Sequence, residues 1–284
     1  MNCANCKHAM VSGLASWHFL CAKCRLEAST LEPAELSASD AAVDEVDREA
    51  GLEHLRKSSF EETYQILLRF AQGGRLLDVG CAHGWFLDTG RNKGFECLGI
   101  EPSTRVAARG MSRGHRVLAG YFPAVLDGED NFDVISFNDV FEHIPDARKT
   151  MLDAGASLRE GGVLSIAIPS SRGIFYRLSK ILVRVGINGP FERMWQKQFS
   201  SPHLYYFNEA ALTQLASESG FQRVYFGHLP SVRINGLWER LSYDTTSSRV
   251  KNTVIFMTVF LLSPFLKILP ADIDLVIYQK TKNQ

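Results

Sequence analysis

Three groups of residues in this 284-residue sequence have the types and spacing to do chemistry. Cys3 and Cys6 form one Cys-x-x-Cys knuckle, and Cys21 and Cys24 form a second. Four thiolates spaced this way can close a tetrahedral zinc site, each knuckle folding its backbone round one edge. Four protein ligands leave no open position, so the zinc expected here is structural; two disulfides or free thiols are the alternatives. The second group is the run LLDVGCAHGWFLD at 76–88, where apolar residues end in Asp78 and are followed by Gly80, Cys81 and Gly84. The third is a pair of histidines, His143 in FNDVFEHIPD and His203 in SSPHLYYF. Imidazole is the usual side chain to take a proton from a nucleophile near neutral pH. His8 and His18 lie near the cysteines but are not needed as ligands, and they are expected on the surface.

A glycine at position 80 lets a loop turn sharply and brings its backbone N–H groups close to a ligand, while Gly84 lets the next helix pack on the strand. A dinucleotide loop reads Gly-x-Gly-x-x-Gly, whereas this one reads Asp-x-Gly-x-x-x-Gly. That difference argues against a nicotinamide-dependent oxidoreductase. Glu101 in LGIEPS ends the next expected strand, at the distance where a carboxylate accepts hydrogen bonds from both ribose hydroxyls. Strand, glycine turn, helix, strand and acid together point to an adenosine ligand.

These residues need a scaffold, and the sequence describes one. Short apolar runs (RLLDVG, FECLGIEP, HRVLAGYF, FDVISFND, GVLSIAIPS, FQRVYFGHL, DIDLVIYQK) alternate with helix-like segments. This rhythm is that of an α/β fold, a doubly wound, mainly parallel sheet with helices on both faces. Its ligands bind beyond the carboxyl ends of the strands. Residues 1–30 read as the zinc-binding module, 31–59 as linker or helix, and 60–284 as the main domain, with insertions at 171–202 and 230–270. From Glu27 to about Asp47 the composition suggests an exposed linker or solvated helix. From Phe60, FEETYQILLRFAQGG has helical apolar spacing that Gly73 and Gly74 stop.

The 31 basic residues balance 31 acidic ones, so no overall basic field marks a nucleic-acid partner, and none is expected. The N-terminus lacks a secretory pattern, which leads us to expect a cytoplasmic chain with reduced thiols. The apolar run TVIFMTVFLLSPFLKIL at 253–269, interrupted by Pro264 and flanked by Lys251, is short for a membrane span. Peripheral contact with a membrane, ordinary packing and a dimer contact are its open readings.

Taken jointly, LDVGCAHGWFL, GIEPS, FDVISFNDVFEHIPD, LREGGVLSIAIPS and PHLYYFNEAALTQLASESGF resemble the class I S-adenosylmethionine-dependent methyltransferases. The resemblance is to the broad small-molecule group that includes ubiquinone-type and sugar methyltransferases, and it spans 76–221. It implies a seven-stranded sheet ordered 3-2-1-4-5-7-6, with DIDLVIYQK as the antiparallel last strand. It implies S-adenosylmethionine as cofactor, with Asp78, Gly80, Cys81 and Gly84 around its methionine part, Glu101 on its ribose and Asn138 beside it. Many relatives carry an acid after the third strand for the adenine. Here Gly120, Tyr121 and Phe122 stand there instead, so stacking or a backbone contact would replace it.

The implied activity is methyl transfer to O, C or N of a small-molecule, sugar or lipid-linked acceptor. His143 would be its base or a residue that orders the pocket. Asp139, Glu142 and His143 also resemble the acid-x-x-Glu-His cluster with which some relatives bind a divalent cation. Trp195, Phe199, His203, Tyr205 and Tyr206 suit a cover over the acceptor, with Phe207 expected to pack. The alternative is a non-catalytic binding module that keeps the adenosine pocket and uses the zinc knuckle to contact a protein or RNA.

Overall fold

The structure is a computed structural model that describes residues 1–34, 45–128, 131–230, 252–253, 256–257, 260–261 and 269–281. Its centre is β4 (Gly74–Val79), flanked on one side by β5 (Phe95–Glu101) and β6 (Arg116–Ala119). On the other side lie β7 (Phe132–Asn138), β8 (Leu158–Pro169), β11 (Ile273–Lys280) and β10 (Phe221–Leu229). The sheet order is β10-β11-β8-β7-β4-β5-β6, which is the expected 3-2-1-4-5-7-6 read from the other edge. β11 runs antiparallel to both β8 and β10, so the last strand inserts between strands made long before it.

Strands covered on both faces become continuously apolar, and β4 is buried from Leu76 to Val79. Its alternate side chains feed different cores. Leu77, Ile135, Leu164 and Val276 pack on one face, while Leu76, Val134, Val163 and Ile277 pack on the other. The helices that cover these faces start on side-chain caps. Ser103 opens α3 (Thr104–Ser112), Asp146 opens α4 (Ala147–Ser157) and Asn208 opens α7 (Glu209–Ser217), each accepting a backbone N–H of the first turn.

The helix expected from Phe60 is the end of a longer one, α1 (Glu45–Leu67). Its polar first half, read as linker or solvated helix, continues the helix, and Glu53 and Lys57 pair across one turn at 2.5 Å. Residues 35–44 of the expected linker lie outside the described residues.

The N-terminal segment forms β1 (Met10–Ser12), β2 (His18–Cys21) and β3 (Glu27–Ser29). These join β9 (Tyr205–Tyr206) in a second, antiparallel sheet, with Glu27 opposite Tyr206 and Ala28 opposite Tyr205. The four-cysteine segment is therefore built into the main domain, and Cys3, Met10 and Cys21 share a core with Leu77. Two expectations are corrected. Glu27 is 4% exposed rather than the start of an exposed linker, and His18 is 2% exposed rather than a surface residue. Both are buried because the His18 Nε2–H donates to Glu27 at 2.8 Å, and Tyr176 and Lys180 also donate to Glu27, each at 2.7 Å. Burial would raise the Glu27 pKa, but bonds from His18, Lys180 and Tyr176, with the Lys180 charge, hold it below the usual carboxylate range.

The insertion at 171–202 carries α5 (Ile174–Arg184) and α6 (Gly189–Met194). Most of 230–270 lies outside the described residues, including most of the 253–269 run with Lys251 and Lys267. Among the described residues, no helix is long and apolar enough to cross a membrane.

Candidate functional site

The glycine loop leaves the carboxyl end of β4 at the centre of the sheet. Gly80 and Gly84 have φ values of +74° and +80°, and Ala82 between them also lies in the left-handed region at +45°. A Cβ at Gly80 would meet Val140 Cγ2 at 2.4 Å, so position 80 must be glycine for both conformation and space. The N–H groups of Gly80 and Cys81 donate to the Ile100 carbonyl, pinning the loop against the end of β5. Gly84 then starts α2 (Trp85–Asn92).

Glu101 faces this loop from the end of β5. Its carboxylate accepts the Ala82 N–H at 3.1 Å and the Ser103 N–H at 3.0 Å, so it is held at the loop's edge before any ligand arrives. Asp78 is 2% exposed and accepts bonds from Ser136 Oγ at 2.7 Å and Asn138 Nδ2 at 3.0 Å. Burial pushes its pKa up to about 7, against the pull of those two donors. Asn138 is thus placed beside the loop by its bond to Asp78. Ser136 is a member of this group that sequence reasoning missed; its signal is a lone hydroxyl inside the apolar run of β7. Cys81 is buried, and burial raises its thiol pKa well above the usual value. After β6, Phe122 packs edge-on against Phe137, whereas Tyr121 is 74% exposed.

Beyond the loop lies a cavity of about 270 Å³, lined among others by Arg56, Asp139, Glu142, Tyr176, Gln196 and His203. Asp139, Val140 and Glu142 follow directly on β7, so loop and cavity meet across the Asn138–Val140 turn. Phe141–His143 form a short 3-10 turn. His143 Nδ1–H donates to the Pro202 carbonyl at 2.9 Å, which leaves Nε2 as the nitrogen able to accept a proton. His203 Nε2 accepts the Gln196 amide at 2.9 Å, and the two imidazoles are 4.7 Å apart. Burial lowers both pKa values, His203 to about 3 with help from His143, so both rings are neutral at pH 7.

The expected aromatic cover is only partly in the wall. Phe199, His203 and Tyr206 line the cavity, but Trp195 is fully buried in a cluster with Tyr176, Phe191 and Tyr206, and Tyr205 turns away to Pro145. Phe207 packs on Phe141 as expected. His203 is set in place from the N-terminal sheet. Ser29 Oγ donates to the His203 carbonyl at 2.7 Å, and the Ser29 N–H donates to the Leu204 carbonyl.

Among the described residues, two groups have the donors a metal takes. Cys3, Cys6, Cys21 and Cys24 bring their sulfurs within 4.8 Å of one another, and all are free thiols. The Cys3–Cys24 and Cys6–Cys21 separations of 3.4 Å are far beyond a disulfide bond and close to the edge of a tetrahedral zinc site. Glu142, His143 and His203 form the second group. Glu142 is 1% exposed and neither carboxyl oxygen has a hydrogen-bond partner; burial, then the charge of Asp139, raises its pKa well above the usual range. The cluster read from sequence is thereby altered: Asp139 pairs with Arg56, and His203, sixty residues on, takes its place.

A family profile described as a methyltransferase domain matches residues 52–225. The ubiquinone biosynthesis O-methyltransferase of Rhodopseudomonas palustris is 28% identical over 101 residues, 34% of this chain and 40% of that protein. The match thus spans well under half the length of that relative. Among solved structures, a chain of the Haloferax volcanii complex between the Trm112 methyltransferase activator and a methyltransferase superposes with a TM-score of 0.57. It is 15% identical, over 85% of this chain and 96% of that one. A SAM-dependent methyltransferase from Thermotoga maritima gives 0.52 at 17% identity, over 84% and 96% of the two chains. At such identities these structures show a shared fold.

Proposed function

The chain belongs to the methyltransferase-domain family, and from that membership we propose that it transfers the methyl group of S-adenosylmethionine to an oxygen, carbon or nitrogen of a small-molecule, sugar or lipid-linked acceptor. The observation that carries this reading is the glycine turn fixed to Glu101, opening across one turn of chain onto a separate cavity whose wall includes Glu142 and His203, with the proton-accepting His143 directly behind His203 at 4.7 Å between ring centres. The residues fit the cofactor. Left-handed backbone at Gly80 and Ala82 lets it approach the main chain, and Glu101 is pre-positioned for a ribose diol. Asp78 is a carboxyl able to respond to a nearby positive charge.

Bound S-adenosylmethionine supplies an already electrophilic methyl group. What remains for the protein is to align the acceptor, exclude water and accept the acceptor's proton. Asn138 and Val140 separate the two sites by a single turn, which brings the acceptor to the donor side of the cavity. His143 Nε2 takes the proton, while its Nδ1–H on Pro202 fixes the ring and its tautomer. His203, already bonded to Gln196, positions the acceptor and closes the wall. The four-cysteine group holds a structural zinc, which keeps β3 and Ser29 against the His203 carbonyl.

The unpartnered Glu142 carboxyl favours a second reading, in which a divalent cation on Glu142, His143 and His203 polarises the acceptor oxygen. Methyl-labelled S-adenosylmethionine incubated with pools of small molecules and lipids tests both. The base reading expects label transfer that survives chelation and falls at least about a hundredfold in His143→Ala with cofactor affinity unchanged. Transfer lost on chelation and restored by magnesium or manganese supports the cation. Cofactor binding with no transfer to any pool would leave a binding module.

A further inference from the structure

Helix α5 buries the wrong share of its apolar residues for a helix that only packs on the protein. Tyr176 and Ser179 face inward, and Tyr176 forms part of the cavity wall. Phe175, Leu178, Ile181 and Val185 point out, with exposures of 36%, 48%, 57% and 69%, and Ile187 just beyond is 52% exposed. At about 100° per residue, positions 175, 178, 181, 182 and 185 fall within an arc of roughly 120°, opposite the buried residues. Arg177 and Arg184 sit together along one margin of that arc, and both are exposed. Over 170–190 the chain carries four cations, Arg172, Arg177, Lys180 and Arg184, and no acidic residue. The start of the helix is tied to the chain near the apolar run at 253–269. Ile174 N–H donates to the Pro270 carbonyl, Phe175 N–H donates to Asp272, and the neighbouring Leu269 is 42% exposed.

An apolar stripe bordered by arginines, on a protein with no net charge, matches an interfacial membrane helix. We propose that α5 docks this protein on an anionic lipid bilayer, with Phe175, Leu178, Ile181 and Val185 at the headgroup–acyl boundary and Arg177 and Arg184 on lipid phosphates. The inner side of the same helix lines the cavity, so the acceptor site lies about one helix diameter from the lipid. That distance suits an acceptor with an apolar tail that stays in the bilayer.

The test is co-sedimentation of the full chain with phosphatidylcholine vesicles, with and without phosphatidylglycerol, alongside size-exclusion chromatography. The wild type is expected to pellet with the anionic vesicles, less with phosphatidylcholine alone, and less as salt rises. Leu178→Ser/Ile181→Ser/Val185→Ser should lower the partition coefficient by about tenfold or more. Arg177→Ala/Arg184→Ala should remove the preference for anionic lipid, and Leu152→Ser, equally exposed on α4, should change nothing. A wild type that stays in the supernatant overturns the proposal, as does a triple variant that pellets like wild type. A dimer that the triple variant dissolves also overturns it, by giving the face to a second copy. S-Adenosylmethionine binding measured on the same preparations separates any such failure from a failure of the methyl-transfer reading.

Discussion

Replacing Gly80 by alanine tests whether the loop is built as tightly as its geometry implies. Two costs add. A left-handed φ of +74° costs an alanine about 1–2 kcal/mol. The new Cβ, 2.4 Å from Val140 Cγ2 and 3.1 Å from Cγ1, overpacks the contact by about 1–3 kcal/mol more. Together they predict a loss of about 2–5 kcal/mol, or roughly 4–20 °C in midpoint for a chain of this size. Moving the loop also moves the Ala82 N–H that Glu101 accepts, so affinity for S-adenosylmethionine should fall at least about tenfold. Val140→Ala removes both offending methyl groups and leaves a contact of 3.4 Å to Cβ. The double variant should therefore recover the overpacking share and keep the backbone share. Thermal unfolding and calorimetric titration of the four proteins complete the cycle. Gly80→Ala with wild-type midpoint and affinity would refute the reasoning, and so would a double variant no better than Gly80→Ala.

Three further outcomes follow from the site. Asp78 titrates near 7 when buried and empty, and a cationic ligand favours its ionised form, so affinity should rise from about pH 6 to about pH 8 with proton release. Because its folded pKa lies above its unfolded one, Asp78 also makes the ligand-free protein lose stability as pH rises from about 4 to about 7, with little further change above that. Asp78→Asn should flatten both curves, and titrations in two buffers of different ionisation heat check this; an affinity flat with pH in the wild type would place the ligand's charge elsewhere. Cys21→Ser should release one zinc per chain and lower the midpoint of the whole domain, because Cys3 and Cys21 pack with Leu77; a wild type free of zinc by metal analysis contradicts it. Ser29→Ala removes the 2.7 Å bond to the His203 carbonyl, and it should raise the acceptor KM while leaving cofactor affinity alone. Equal kinetics would show that the N-terminal sheet does not position His203.

The main sheet was legible because each of its strands carries its own local signal, an apolar run that, in every strand but β11, is ended by glycine, proline or an acid. The motif order then fixed their neighbours. The loop at Gly80 and the acid at Glu101 were legible for the same reason, since spacing along one β-α-β unit sets their distance. What the sequence hid depends on contacts between distant segments. His18 and Glu27 looked exposed because they are polar and their partners are not sequence neighbours; His18 bonds to Glu27, and Tyr176 and Lys180, about 150 residues later, complete the burial. Trp195 looked like a wall residue until packing with Tyr176, Phe191 and Tyr206 closed over it. Asp139 was grouped with Glu142 and His143 by adjacency, but Arg56 takes it, and His203 arrives through the pairing of β3 with β9. No local pattern encodes that pairing.

The most direct test of the central claim is calorimetric titration of the purified protein with S-adenosylmethionine, S-adenosylhomocysteine and NAD, repeated on Glu101→Ala. The account predicts micromolar binding of both sulfur ligands, none of NAD, and a large loss of affinity in the variant. Absence of binding by either sulfur ligand, or an unchanged affinity in Glu101→Ala, would contradict it.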